Sequence, residues 1–183
     1  MRLWISVSAA LAALMLTIVT HADEVASPVY GITLPDGYRN WELVSIASIG
    51  SPVSDLRAKL GNDIAMKAFR ERTIPYPDGS IIVRLAYKQV MNAEGNELLK
   101  AEAIRQGLSP AAAQKLVDGS VVAGPPTNVQ IMVKDSKKYA STGGWGFAQF
   151  TNGKPDSAAI QNTCWSCHAP GKSHDFVFTT YAQ

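Results

Sequence analysis

The sequence predicts an α+β fold, in which helices pack on an antiparallel β-sheet. Four runs rich in β-branched and aromatic residues indicate strands, and turn-forming Pro-Asp-Gly triplets precede two of them. The first strand is predicted at residues 41–49, after the triplet at residues 35–37. Segments with helical spacing lie between the strands, so the outline is a sheet with helices rather than a helical bundle.

The next segment, residues 56–69, has the spacing of a helix, but Gly61 interrupts it. Asn62 is a residue type that caps helices. A second helical piece is therefore expected to begin at Asp63.

Two further strands show a clear alternation of side chains, at residues 81–88 and 129–134. Successive residues of a strand face opposite sides of the sheet. The predicted apolar faces consist of Ile81, Val83, Leu85 and Tyr87 on one strand and Val129, Ile131 and Val133 on the other. The opposite faces carry Ile82, Arg84, Ala86 and Lys88, and Gln130, Met132 and Lys134. A short aromatic strand at residues 145–150 completes the predicted sheet.

A helical segment at about residues 95–123 separates the two alternating strands. Its first helix is expected at residues 96–106. Ser109, followed by a proline, is a typical start of a second helix. The turn-forming residues 124–126 are expected to return the chain to the sheet.

Residues 1–22 have the features of a secretory signal peptide, with Arg2 near the start, an apolar run and Ala22 at the predicted cleavage position. The apolar run is shorter than the roughly 20 residues that cross a bilayer, which favours cleavage over an uncleaved anchor. The sequence therefore predicts export, to the periplasm in a bacterium. A single mature domain is expected at residues 23–183, with no further membrane span.

The charged residues of the chain are nearly balanced, with 17 Lys and Arg against 15 Asp and Glu. They are scattered along the sequence rather than grouped in runs. This pattern argues against nucleic acid or an anionic membrane surface as a partner.

The two cysteines of the chain lie in the motif Cys-Trp-Ser-Cys-His, at Cys164, Cys167 and His168. On a helical turn, positions three and four apart share a face, so both thiols and the imidazole point the same way. Asn162 or Thr163 is expected to cap this turn, and residues 170–171 to end it. The spacing is the attachment signal for haem c, in which two cysteines bind the porphyrin and the histidine binds the iron.

Other uses of a Cys-x-x-Cys pair fit the sequence less well. Structural zinc needs four ligands, and the chain has no second cysteine pair. A disulfide across two residues would close a very small loop and stabilise little. A thioredoxin-like redox dithiol is expected early in a βαβ unit, not near the end of the chain. The sequence favours one covalent haem, with a redox dithiol as the remaining alternative.

A second axial ligand for the haem iron would have to come from upstream, because no methionine follows His168. The candidates are a lysine or one of Met66, Met91 and Met132, although methionines more often fill gaps in a core. His174 lies too close to His168 in sequence to reach the opposite face of a haem.

Four stretches of the chain resemble the cytochrome P-460 family, which includes the β-type cytochromes c′. They are LPDGYRNWELVS (34–45), RAKLGNDIAMKAFRERTIPYPDGSIIVRLAYK (57–88), VQIMVKDSKKYASTGGWGFAQF (129–150) and CWSCHAPGKSHDFVFTTY (164–181). The resemblance implies a sheet-based, usually homodimeric haem c protein with a proximal histidine and an open distal site. Members of the family bind nitric oxide or oxidise hydroxylamine. Residues 95–123 read as a helical insertion relative to the family.

The resemblance also assigns three residues to the distal pocket, Arg57, Arg84 and Gln130. Arg84 stands where the family's enzymes have a lysine that is cross-linked to the haem, and a guanidinium stays protonated and cannot act as that nucleophile. Lys88 shares the strand face of Arg84 but lies farther along it. Gln130 stands where the enzymes have a proton-relaying glutamate, and an amide cannot accept a proton at neutral pH.

These departures favour a cytochrome that binds a small diatomic ligand such as nitric oxide, or one that passes an electron to a periplasmic redox partner, over hydroxylamine oxidation. Three classes of protein therefore remain open. They are a ligand-binding or weakly catalytic haem protein with five-coordinate iron, a six-coordinate electron carrier and a haem-free dithiol protein.

Overall fold

The computed structural model describes residues 25–182, so the predicted signal peptide at residues 1–22 lies outside the described part. Six strands form one antiparallel sheet in the order in which they occur along the chain. The strands are β1 (Glu42–Ile49), β2 (Asp55–Gly61), β3 (Ile81–Val90), β4 (Val122–Lys134), β5 (Trp145–Thr151) and β6 (Lys154–Pro155). The helices are α1 (Asp63–Glu71), α2 (Ala93–Arg105), α3 (Pro110–Val117) and α4 (Ala158–His168). The predicted α+β class with an antiparallel sheet is confirmed.

The alternation of strand residues divides the apolar side chains between the two faces of the sheet. Val83 and Leu85 belong to a core on one face, whereas Ile82 belongs to the core on the other, as the alternation predicted. Phe147 packs on the same face as Ile82, together with side chains of α1 and α4. The face that carries Ile82 is therefore the one on which the helices lie.

One prediction for this region is wrong, because residues 55–61 form strand β2 and not the first part of a helix. Leu56 and Leu60 are four positions apart, a spacing that fits both a helical face and every second residue of a strand. In the structure Leu60 lies opposite Val83 of β3 and is buried in the core. Pairing with β1 and β3 decides the conformation, because tertiary contacts override local propensity.

The prediction that Asn62 caps a helix beginning at Asp63 is confirmed. The Asn62 side-chain oxygen accepts hydrogen bonds from the backbone N–H groups of Ala65 and Ile81, each at 3.0 Å. Its amide group donates to the carbonyl of Gly79 at 2.8 Å. One side chain therefore joins the start of α1 to the start of β3.

The helices α2 and α3 occupy the predicted helical segment and pack mainly on each other. Ser109 caps α3 through its hydroxyl group, as predicted. The turn-forming residues 124–126, expected to return the chain to the sheet, lie inside β4 itself. Strands β3 and β4 thus run on past the rest of the sheet as a two-stranded ribbon that ends in the α2–α3 pair.

The start of the last helix also differs from the prediction. Helix α4 begins at Ala158, whereas Asn162 or Thr163 was expected to cap it. The Thr163 hydroxyl instead donates to the Ile160 carbonyl within the helix, a local bond that threonine often makes in helices. Within residues 25–182 no helix combines the length and apolar character required to cross a bilayer.

We expect Asn62→Ala to lower the free energy of unfolding by about 2 kcal/mol, because it removes a helix cap together with two bonds to the β3 turn. Ser109→Ala is the matched control, since it removes a cap hydroxyl that bonds only Ala112. That control should cost about 1 kcal/mol or less. Denaturant unfolding of both variants measures the difference, and equal losses would contradict a joining role for Asn62.

Candidate functional site

A cavity of about 360 Å³ lies between the helix-bearing face of the sheet and helix α4. Residues of β2, β3, β4 and β5 form one wall, and α4 with residues 177–179 forms the other. Its volume falls within the range of small-molecule and cofactor sites. The walls are apolar near Ile82, Met132 and Phe147 and become polar farther along the same strands.

Both cysteines and His168 line this cavity from the last turn of α4. The thiols of Cys164 and Cys167 are free. Burial raises the pKa of the Cys164 thiol, and the neighbouring Cys167 adds to the rise. A reactive redox dithiol needs the opposite shift, since the thiolate is the nucleophile. The partly buried Cys164 thiol therefore lacks the feature that makes a redox cysteine reactive.

The orientation of the His168 ring is fixed by one hydrogen bond. Its Nδ1–H donates to the carbonyl oxygen of Phe176 at 2.7 Å, which leaves Nε2 without a proton. The ring packs against Phe147 and Phe178, with centroid distances of 4.9 and 5.0 Å. Burial lowers the pKa of His168, and this favours the neutral imidazole. A neutral ring with Nδ1 engaged by a carbonyl is the usual form of a metal-binding histidine.

The turn that contains the Phe176 carbonyl is stabilised by a buried ion pair of the preceding residue, Asp175. Asp175 and Phe176 both adopt left-handed backbone conformations, with φ of 48° and 64°, which are uncommon for residues other than glycine. Both Asp175 carboxylate oxygens accept hydrogen bonds from Lys134 Nζ at 2.8 Å, and one also accepts from the Tyr76 backbone N–H. Lys134 and Asp175 are only 5% and 6% exposed. The pair therefore fixes the turn that presents the carbonyl to His168.

A row of polar side chains crosses the cavity wall on four adjacent strands. Lys59 lies opposite Arg84, Arg84 opposite Gln130, and Gln130 opposite Gln149 in the strand register. All four residues line the cavity. The row continues beyond the sheet, because Gln130 donates to Gln149 and Gln149 donates to the carboxylate of Asp156.

The structure brings all three residues assigned by resemblance, Arg57, Arg84 and Gln130, to this cavity. Arg57 pairs with Asp55, its Nε donating to both carboxylate oxygens at 2.9 and 3.0 Å. Arg84 donates to the side-chain oxygen of Asn128 at 2.9 Å. Burial, followed by repulsion from Arg57, lowers the pKa of Arg84 to about 10.

Sequence reasoning missed two residues of the polar row, Lys59 and Gln149. The signal for Lys59 was its position two residues after Arg57, which places both on one face of a strand. A helical interpretation of residues 56–69 concealed it. Lys88 is exposed and is not part of the lining, so Lys59 is the lysine of this cavity within residues 25–182.

The candidate axial methionines lie in three different environments. Met132 lines the cavity. Met66 is buried in the core between α1 and the sheet, and Met91 is 74% exposed. His174 is exposed and lies outside this cavity.

Two free thiols, a neutral imidazole and apolar walls around a single cavity are the set of groups expected of a haem site. The residues present therefore fit a haem, and the site is of the kind found in haem proteins. A family model described as cytochrome P460 matches residues 35–179, and the chain belongs to that family. Membership implies that the protein binds haem. No curated protein was found to match the chain.

We expect Asp175→Asn to lower the free energy of unfolding by roughly 3–5 kcal/mol, because it leaves the buried Lys134 charge without a partner. Denaturant unfolding followed by circular dichroism measures the loss. Adding Lys134→Met to Asp175→Asn should restore much of it, since no buried charge remains and the Asn oxygen can still accept from the Tyr76 N–H. Glu71→Gln, in the exposed pair with Lys67, is the control and should change little. A similarly small effect of Asp175→Asn would contradict the buried pair.

Proposed function

We propose that the protein is an exported mono-haem c-type cytochrome that binds nitric oxide or a related small nitrogen ligand at the haem iron. One observation carries the proposal. Cys164, Cys167 and His168 face a common cavity from one helical turn, and His168 has only Nε2 free for a metal.

In this proposal the thiols of Cys164 and Cys167 hold the haem covalently, and His168 Nε2 is the proximal ligand of the iron. The bound haem supplies an iron that takes up a diatomic ligand or an electron. The Phe176 carbonyl keeps the imidazole in one tautomer and orientation. Apolar side chains such as Phe147 exclude water from the cavity, which strengthens the polar interactions within it.

The polar row supplies donors for a bound ligand. Arg84 and Gln130 both carry N–H groups and line the cavity. Each would be able to donate a hydrogen bond to a small ligand held in this cavity. Neither accepts a proton at neutral pH.

Hydroxylamine oxidation requires groups that accept protons from the substrate. No Asp or Glu is among the residues that line the cavity in the described part of the chain. This favours ligand binding over oxidation as the function of the site.

An electron-transfer cytochrome is the second candidate, and the position of Met132 favours it. Met132 and Lys59 line the same cavity as His168, and a thioether and an amine are groups that can bind iron. Either group bound to iron would give a six-coordinate, low-spin haem. In both functions we propose a periplasmic redox partner, and we also propose a homodimer, which light scattering of the purified protein would test.

We expect Cys164→Ala combined with Cys167→Ala to abolish covalent haem, because both thioether bonds are lost. A pyridine haemochrome spectrum and haem staining of a denaturing gel measure it. Ser166→Ala, between the two cysteines, should retain haem, since its hydroxyl bonds only the Thr163 carbonyl. Wild-type protein without a c-type haemochrome would refute both haem functions.

We expect the ferrous protein to bind carbon monoxide and nitric oxide, and Met132→Ala to leave its resting spectrum nearly unchanged. A five-coordinate iron has an open position for these ligands, whereas a Met-ligated iron does not. Absorption and resonance Raman spectra measure both effects. Loss of a low-spin spectrum in Met132→Ala would establish the electron carrier instead.

A further inference from the structure

We propose that Arg57, Lys59 and Arg84 form a binding site for anionic oxygen atoms. The anion is either a small free oxyanion such as nitrite or a carboxylate of the porphyrin itself. The proposal rests on the proposed haem function and adds to it a preference for the charge of the ligand.

The first argument is the placement of three cations on one wall. Lys59 and Arg84 are directly opposite each other on β2 and β3, and Arg57 is two residues from Lys59 on the same face. Like charges opposite each other on neighbouring strands destabilise a sheet. The arrangement therefore has a cost that an anion in the cavity would offset.

The second argument is that the one carboxylate beside the group pairs with Arg57 and leaves Lys59 and Arg84 without an ion pair among the described residues. Asp55 is the acidic partner within reach, and both of its oxygens bind Arg57 Nε. The bond from Arg84 goes to a neutral amide, Asn128, and the buried Nε of Arg84 has no hydrogen-bond partner among residues 25–182. A buried donor without a partner is unfavourable. An anionic oxygen is the acceptor that would satisfy it.

The surroundings of Lys59 also lack a negative charge in the part of the chain that the structure describes. Burial lowers the pKa of Lys59, and repulsion from Arg57 and Arg84 lowers it further. No acidic group opposes these effects on Lys59 within the described residues. A bound anion would reverse the repulsion by adding the missing negative charge.

The cluster also lies where a ligand can reach it. All three residues line the cavity that contains Cys164 and His168. The apolar part of the wall excludes water, and charge-assisted hydrogen bonds are strongest in such a setting. An anion in this cavity would therefore bind more tightly than at an exposed cationic surface, and it would gain more from the three cations than neutral nitric oxide does.

Nitrite titration of the ferric holoprotein, followed through the haem absorption, tests the proposal. If the anion is a free oxyanion, we expect Lys59→Gln to raise the nitrite dissociation constant at least tenfold, and by a larger factor than the nitric oxide dissociation constant of the ferrous form, because nitrite carries the charge that the cations bind. Lys88→Gln is the matched control, because it removes an exposed lysine from the neighbouring strand. It should change neither constant. Lys59→Arg should keep the wild-type nitrite affinity, because it retains the charge.

Resonance Raman spectra of the same variants distinguish the two sources of anionic oxygen. If the anion is a free oxyanion, Lys59→Gln should lower the nitrite affinity and leave the Raman band of the porphyrin carboxylates unaltered. If the anion is a porphyrin carboxylate, Lys59→Gln should shift that Raman band and leave the nitrite affinity unaltered. If neither quantity differs between Lys59→Gln and Lys88→Gln, the proposal is overturned.

Two further outcomes separate this proposal from the function on which it rests. Wild-type protein without a c-type haemochrome would refute the haem function first. Intact haem and nitric oxide binding with no effect of Lys59→Gln would refute only the anion site. A covalent bond between Lys59 and the porphyrin, detected by mass analysis of the haem peptide, would also overturn it, because the amine would not be a free cation.

Discussion

The buried ion pair between Lys134 and Asp175 joins the parts from which the cavity is built. Lys134 is the last residue of β4, and Asp175 lies in the segment that follows α4. Charges are tolerated away from water only when they are paired, so the two segments are held in one arrangement. Asp175 precedes Phe176, whose carbonyl oxygen accepts a hydrogen bond from the Nδ1–H group of His168. The orientation of the imidazole thus depends on a contact between residues 41 positions apart in sequence.

Strand alternation explains both what the sequence predicted about the sheet and what it did not. In β3 and β4 every second residue is apolar over several positions, so the faces could be assigned before any contact was known. In β2 the spacing of Leu56 and Leu60 is common to a helix and a strand, and only pairing with the neighbouring strands resolves it. Asn62 was predictable because a helix cap is a local feature.

The residues of the candidate site were likewise predictable only where they depend on local sequence. Cys164, Cys167 and His168 lie within five residues, and a single helical turn suffices to bring them together. Arg84 and Gln130 were placed by resemblance to a family and not by the periodicity of the strands. Lys59 required the correct secondary structure of β2. The ion pair of Lys134 and Asp175 could not be predicted from the sequence, because the residues next to each one do not indicate a partner so distant in the chain.

The side chains of the polar row give this wall of the cavity a positive charge. The resemblance places Arg84 where the family's enzymes have a lysine and Gln130 where they have a glutamate, which implies a wall that keeps a cation and lacks a carboxylate. Lys59 lies in the same row and adds a second cation. A glutamate at position 130 would have been beside Arg84 and would have paired with it. With Gln130 in that place, the Arg84 guanidinium donates to Asn128, and its Nε has no partner among the described residues. An anion bound in the cavity, as proposed above, would supply both the missing acceptor and the missing negative charge.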